Sequence, residues 1–344
     1  MIQGTYMNKR KFLKASALAA TASALPQLHK PLFAQNLSGP PYEIVMGGYG
    51  PSTTGFSAAL REVGSHLENV FGDEVDVRYV YNIMDLGYQG SDILWLVENG
   101  LLTLGYQSSS YMTNRVQELM IADLPFLFNT GEDARNAMDG DLGSMLATAI
   151  ENNMNYRILG YFENGFRHIS NRLRPIHSLE DLADLHIRVL PSQILYDTFV
   201  QLGANPEIMD LSDALRRIPA GLIDAQENPL ANTVTYGIHN FHKFHTITNH
   251  AYLSRPIFFH KQTFDSWPIE LQEEMQNAIT NAVAYQRNLH DEEELDAARV
   301  IEETGGEIIT LTGDEIEPFR NAIEPLYSQA RDIHSELLIS AAGI

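Results

Sequence analysis

The stretch from Trp267 to Thr304 limits the possible folds of this chain more than any other. It keeps a helical pattern without a break, with a proline in the first turn and Gly305-Gly306 as the stop. About 36 residues at 1.5 Å each make a helix of roughly 54 Å, longer than one small lobe. Such a helix either bends near Asn288–Asp291 or lies as a strut along two lobes. With 344 residues, 44% of them hydrophobic, the chain can fill one large core or two of medium size.

Ahead of that run, two arginines stand in strand-like surroundings. Arg188 lies in His186-Ile187-Arg188-Val189-Leu190, which reads as a short strand ending at Pro191. Arg167 lies in Gly165-Phe166-Arg167-His168-Ile169, after the apolar Ile158–Phe162. A guanidinium on a strand of an α/β protein costs desolvation unless an anion meets it, and its planar fork is shaped to hold a carboxylate. A strand arginine can also sit at an edge with its head in water, or form half of a structural ion pair. Ser178-Leu179-Glu180-Asp181 between the two looks like a capping box. A βαβ connection would then set both arginine strands in one parallel sheet. Asn228 precedes Pro229, which biases it to extended geometry. Its amide can donate to a carboxylate and accept from a hydroxyl. The two arginines and Asn228 are therefore expected to hold an organic anion between two lobes.

The remaining patterns are α/β throughout. Tyr42–Met46 is a strand opening into Gly47-Gly48-Tyr49-Gly50, and a helix follows from Phe56 to Phe71. The third glycine of a dinucleotide loop is missing, so the turn is taken as a loop at the carboxyl end of a strand, where open α/β sheets place ligands. Val75–Tyr81 and Leu101–Tyr106 are further strands, the second ending in Gln107-Ser108-Ser109-Ser110. Asp123–Phe128 is a buried connection, Asp133–Asn152 is helical, and Ser212 caps a short helix. Gln107, Ser108, Tyr49 and Tyr252 suggest polar contacts beyond a carboxylate. His239, His242, His245 and His250 lack the spacing of a helical zinc site and read as packed or polar histidines, so no metal is expected. Glu292-Glu293-Glu294 reads as a solvated helix face.

Charge and composition restrict the partners. Formal net charge is −21; the first 34 residues hold five basic and no acidic side chains, so without them 18 basic face 44 acidic, or −26. That balance argues against nucleic acid, which needs a basic face. There are no cysteines, which excludes disulfides, thiolate metal sites and thiol nucleophiles. Residues 1–34 read as an export signal: a basic segment from Asn8 to Lys14, an apolar stretch from Ala15 to Leu25, and Leu32-Phe33-Ala34 before the cut. The pattern resembles a twin-arginine signal with Lys9 in place of the first arginine. The expected location is a bacterial periplasm.

Several of these residues together resemble a known family. Gly165-Phe166-Arg167, Ser170-Asn171-Arg172, Ile187-Arg188-Val189, Gln226-Glu227-Asn228-Pro229 and Asn249-His250-Ala251-Tyr252 follow one another in order. With Asp123–Phe128 and the long helix, this set is similar to the extracytoplasmic solute-binding proteins (DctP-like) of tripartite ATP-independent periplasmic (TRAP) transporters. The resemblance implies an α/β, two-lobed periplasmic binding protein-like fold with a long C-terminal helix spanning both lobes. Lobe I would hold residues 42–163 plus about 254–290, and lobe II 164–253 plus about 291–344. It further implies that Arg188 forms the salt bridge to the ligand carboxylate, with Arg167 and Asn228 in the same pocket. The implied partners are a small organic acid and integral-membrane TRAP permease subunits, without a cofactor.

Two other classes compete. One is a periplasmic enzyme acting on an organic acid, but the chain shows no nucleophile elbow, phosphate loop or metal-binding pair. The other is a two-lobed sensor of the same acid. The arginines alone fit C4-dicarboxylates, 2-oxo acids, sugar acids and aromatic acids equally well.

Overall fold

A computed structural model describes residues 42–344; the expected export signal lies outside the described residues. Among the described residues nine strands form one sheet: β1 (Tyr42–Gly47), β2 (Val75–Val80), β3 (Leu104–Tyr106), β4 (Tyr156–Asn171), β5 (His186–Val189), β6 (Asn205–Ile208), β7 (Ala225–Asn228), β8 (Phe244–His260) and β9 (Glu307–Thr310). Their order is β2-β1-β3-β8-β4-β7-β5-β6, with β9 on β8. Two long antiparallel strands, β4 and β8, run through the middle. Parallel triplets flank them, β2-β1-β3 on one side and β7-β5-β6 on the other. The outcome is a two-lobed α/β fold in which β4 and β8 cross from one lobe to the other.

The strands follow from their apolar alternation. Ile44 and Met46 of β1 are fully buried while Glu43 faces water. Helix α1 (Gly55–Phe71) then covers that lobe with Phe56, Ala59, Leu60, Val63 and Leu67, the spacing of one helical stripe. Thr54 caps it by accepting from the Ser57 amide. Helices α2 (Leu211–Arg217) and α3 (Leu230–Thr235) belong to the other flank.

Helix α4 (Ile269–Glu303) is the expected long element: 35 residues without interruption, or about 52 Å at 1.5 Å per residue. It packs on α1, β4, α3 and β9, so it is the strut across both flanks. β4 admits it closely only because of glycine. Gly165 has φ +86°, and a Cβ there would sit 2.3 Å from the His290 ring of α4. Among the described residues no helix is long and apolar enough to cross a membrane.

Three expectations need correction. The arginine strands are not parallel neighbours: β7 lies between β4 and β5, antiparallel to the first and parallel to the second. The segment joining β4 to β5 holds only one 3-10 turn, Leu179–Leu182, too short to cover a crossover. The Asp133–Asn152 pattern is two helices, Gly131–Asp139 and Asp141–Asn153, because the chain breaks at Gly140. The cap of α2 is Asp210, which accepts from the Ser212 amide at 2.8 Å.

Candidate functional site

The carboxyl ends of β1 and β3 on one flank, and of β5 and β7 on the other, meet at one small cavity of about 20 Å³. Tyr49 follows β1, Ser108 follows β3, Arg188 sits in β5 and Asn228 ends β7. Bulges in the β4–β8 pairing fall at Glu163/Gly165 and Arg167/Ile169. A bulge re-aims the side chains beside it, and here Asn164 and Arg167 both reach the cavity.

Five expected residues, Tyr49, Ser108, Arg167, Arg188 and Asn228, thus line one cavity. Gln107 and Tyr252 lie outside this lining. Gln107 is fully buried; its amide donates to the Gly90 carbonyl at 2.7 Å and accepts from the Ser108 amide at 2.8 Å. It therefore braces the loop that presents Ser108. Tyr252 packs edge-on against Phe128 and Phe166, beside Glu163.

The arginines differ in what meets them. Arg167 is 1% exposed and forms a buried ion pair with Glu227, Nη2 reaching Oε1 at 3.0 Å. Its Nη1 donates to Asn228 Oδ1 at 3.1 Å. Burial alone would raise the Glu227 carboxyl, but the Arg167 charge and hydrogen bonds from His250 and Arg167 outweigh it and hold it near 2. Arg167 is therefore half of a structural ion pair as well as a wall of the cavity. Arg188 is 2% exposed and has no carboxylate within 4 Å among the described residues. Its Nε donates to the Met209 carbonyl at 3.0 Å and Nη2 to the Tyr111 hydroxyl at 3.3 Å. Burial pushes the Tyr111 phenol up to about 12 against the pull of Arg188, so it stays a neutral partner.

A third arginine escaped sequence reasoning. Arg255 of β8 is 4% exposed, lines the same cavity and also lacks a carboxylate within 4 Å among the described residues. Its Nη2 donates to Asn164 Oδ1, and its guanidinium lies 3.9 Å from the Phe56 ring centre. The signal was present: a charge inside the apolar run Ala251–His260, directly before Pro256, as Arg188 stands near Pro191. Asn232 and Tyr236, on or next to α3, complete the polar wall and carried no comparable mark.

The expected histidines are packed rather than clustered: His242 bonds to Ser170 Oγ, His245 to the His242 carbonyl and His250 to Thr248 Oγ1. The solvated reading of Glu292-Glu293-Glu294 needs correction. Glu293 accepts from the Gly55 amide at 2.6 Å, at the start of α1. Glu294 accepts from the Leu230 and Ala231 amides at 3.2 and 2.9 Å, at the start of α3.

Chemically, the cavity offers cations, amides and hydroxyls, and no carboxylate among its described lining residues. A larger open groove between Asp141–Asn153 and Glu336–Ala342 has Glu118 and Asp141 as its charged lining and so disfavours an anion.

The family model of the bacterial extracellular solute-binding proteins, family 7, matches residues 58–332. The C4-dicarboxylate-binding periplasmic protein of Rhodobacter capsulatus is 26% identical over 215 residues, 62% of this chain and 64% of that protein. The 2,3-diketo-L-gulonate-binding periplasmic protein of Escherichia coli K12 is 29% identical over 214 residues, 62% of this chain and 65% of its own. The chain thus spans a little under two thirds of the length of these curated relatives. A TRAP periplasmic solute binding protein solved from Sulfurospirillum deleyianum with bound succinate superposes with a TM-score of 0.82 at 24% identity, covering 88% of this chain and 99% of that one.

Proposed function

Because the chain belongs to the bacterial extracellular solute-binding proteins, family 7, we propose that it captures a small organic acid between its lobes and passes it to an integral-membrane TRAP permease. The observation that carries this reading is Arg188: a buried guanidinium, open to a cavity, that no carboxylate of the protein neutralises among the described residues. Burying a charge without a partner is costly, and a ligand carboxylate removes that cost. The relatives named for C4-dicarboxylate and diketo-gulonate, and the neighbour holding succinate, all take acids.

In this reading lobe I comprises 42–163 with about 254–290, and lobe II 164–253 with about 291–344. Tyr49 and Ser108 then face Arg188 and Asn228 across the cleft. Hinge closure around the acid lowers the local dielectric and strengthens each hydrogen bond. The protein works in the periplasm, reached by the twin-arginine route that Lys9-Arg10 suggests. Capture without turnover is favoured over catalysis because the lining, among the described residues, holds neither a carboxylate nor a histidine to move a proton.

A thermal-shift screen of carboxylates tests the reading. A true ligand stabilises by about 4 kcal/mol at a thousandfold excess over Kd, and Arg188→Ala abolishes the shift for the same acid. A shift that survives this substitution overturns the role of Arg188. Uptake of the labelled acid into vesicles carrying the permease, dependent on added protein, tests the transfer step.

A further inference from the structure

We propose that Asp210 is a latch across the cleft, a positioning residue that holds the two flanks together and so sets how long a bound acid is retained without touching it. The inference rests on the acid-binding reading of the cavity and names the contact that keeps its two walls closed.

Asp210 follows β6 on one flank, and the loop Gln89–Ser91 lies between β2 and β3 on the other. The Asp210 Oδ1 accepts from the Ser212 amide at 2.8 Å, which caps α2, and from the Gly90 amide at 3.2 Å. Its Oδ2 accepts from the Ser91 amide at 3.0 Å, and Ser212 Oγ also takes the Gly90 amide at 3.0 Å. Capping α2 needs one acceptor, which an asparagine supplies as well as an aspartate. The second oxygen finds its partner on the opposite flank. Hydrogen bonds to an ionised acceptor are roughly twice as strong as neutral ones, so this carboxylate ties two backbone donors of one lobe to the other.

The tie continues into the cavity wall. The Gly90 carbonyl accepts from the Gln107 amide at 2.7 Å, and Gln107 in turn accepts from the Ser108 amide at 2.8 Å. Beside it, the Tyr111 hydroxyl accepts from the Leu211 amide at 3.1 Å and from Arg188 at 3.3 Å. Ser108, Tyr111, Arg188 and Leu211 line the cavity, whereas Asp210 does not, although its charge reaches the Tyr111 phenol. A negative charge so near an anion site repels the anion. If charge were all that Asp210 contributed, removing it would tighten binding. A latch gives the opposite sign, because a weakened closed form lets the acid escape sooner.

Two substitutions break the contact from opposite sides. Asp210→Asn keeps the cap of α2 and loses the second acceptor. Ser91→Pro removes a donor where φ is already −68°, an angle that proline adopts. Hydrogen exchange reads the contact itself: the Gly90 and Ser91 amides are protected in the wild type and exchange at least about tenfold faster in Asp210→Asn, about 1.4 kcal/mol. Stopped-flow binding of succinate, 2-oxoglutarate, galactonate and benzoate reads its use. Each variant is expected to release the bound acid about tenfold faster with association changed less than about twofold, and the double variant no faster than either alone, since both remove one contact. Wild-type amides without protection, with and without acid, overturn the inference before any variant is made. Unchanged exchange in Asp210→Asn, or release that is unchanged or slower in the variants, overturns it too and leaves the acid-binding reading intact. A wild type that binds none of the four acids overturns that reading and the retention role together. A variant that fails to fold leaves the wild-type exchange and the other variant to decide.

Discussion

At Arg167 the positive charge meets Glu227 inside the protein, while at Arg188 a similarly buried charge meets only a carbonyl and a phenol. Removing one member of a buried ion pair strands the other, at about 3–5 kcal/mol. Arg167→Met is therefore expected to lower the ligand-free stability by about that amount in urea unfolding. Arg188→Met keeps most of the apolar stem and removes a charge with no carboxylate, so its effect stays within about 1 kcal/mol. The reverse order of the two variants would show that the ion pair is not what distinguishes them. In sequence the two arginines look alike, each in a short strand-like run. What separates them is Glu227, sixty residues from Arg167 and brought there by antiparallel pairing of β4 with β7, where Ile169 faces Glu227. Local patterning encodes the strand but not its neighbour, so the cavity residue Arg188 was legible and the internal partner of Arg167 was not. Arg255 carried the same local mark, a lone charge in an apolar strand before a proline, and was not singled out.

Helix α4 shows what a sequence states well and what it leaves unsaid about an element. Its span, Ile269–Glu303, nearly matches the expected Trp267–Thr304 because helix periodicity, a leading proline and a trailing glycine pair are all local. The use of Glu293 and Glu294 is not local: the two carboxylates reach the starts of α1 and α3, far away in the chain. An acidic triplet on a helix usually faces water, and only the packing of two other helix starts against α4 makes it otherwise. The long helix thereby fixes the loop after Tyr49 and the helix carrying Asn232, two walls of the cavity. Glu294→Ala should remove a cap of about 1 kcal/mol. The checks are faster hydrogen exchange at the Leu230 and Ala231 amides, by about fivefold, and weaker acid binding with Arg188 untouched. Unchanged protection at both amides would show that Glu294 does not hold α3.

Across the whole molecule, buried titratable groups set how stability follows pH, and they act in opposite directions. Burial lowers His168 and His242 to about 3, and His245 and His290 to about 4, from an ordinary 6.5. The unfolded chain takes up these four protons as pH falls through 6.5 and the folded protein does not, which destabilises the fold. Burial also raises Asp123 and Glu294 to about 7. The folded protein takes up those two protons before the unfolded chain does, which stabilises the fold on the way down to about 4.5. Burial also lowers His250, His260 and His334, so the histidines outweigh the raised carboxyls as pH falls below 6.5, and stability falls with pH there. Glu227 adds nothing in that window; with a folded value near 2, its contribution is complete above about 4.5 and is lost only as pH falls from there. Urea unfolding of ligand-free protein should therefore show a midpoint that falls from pH 6.5 towards pH 5.5. His290→Gln should make that fall shallower by about one proton, because it removes one of the buried histidines from the balance. A midpoint that holds level or rises between pH 6.5 and 5.5 would mean that the histidines take up protons inside the folded protein.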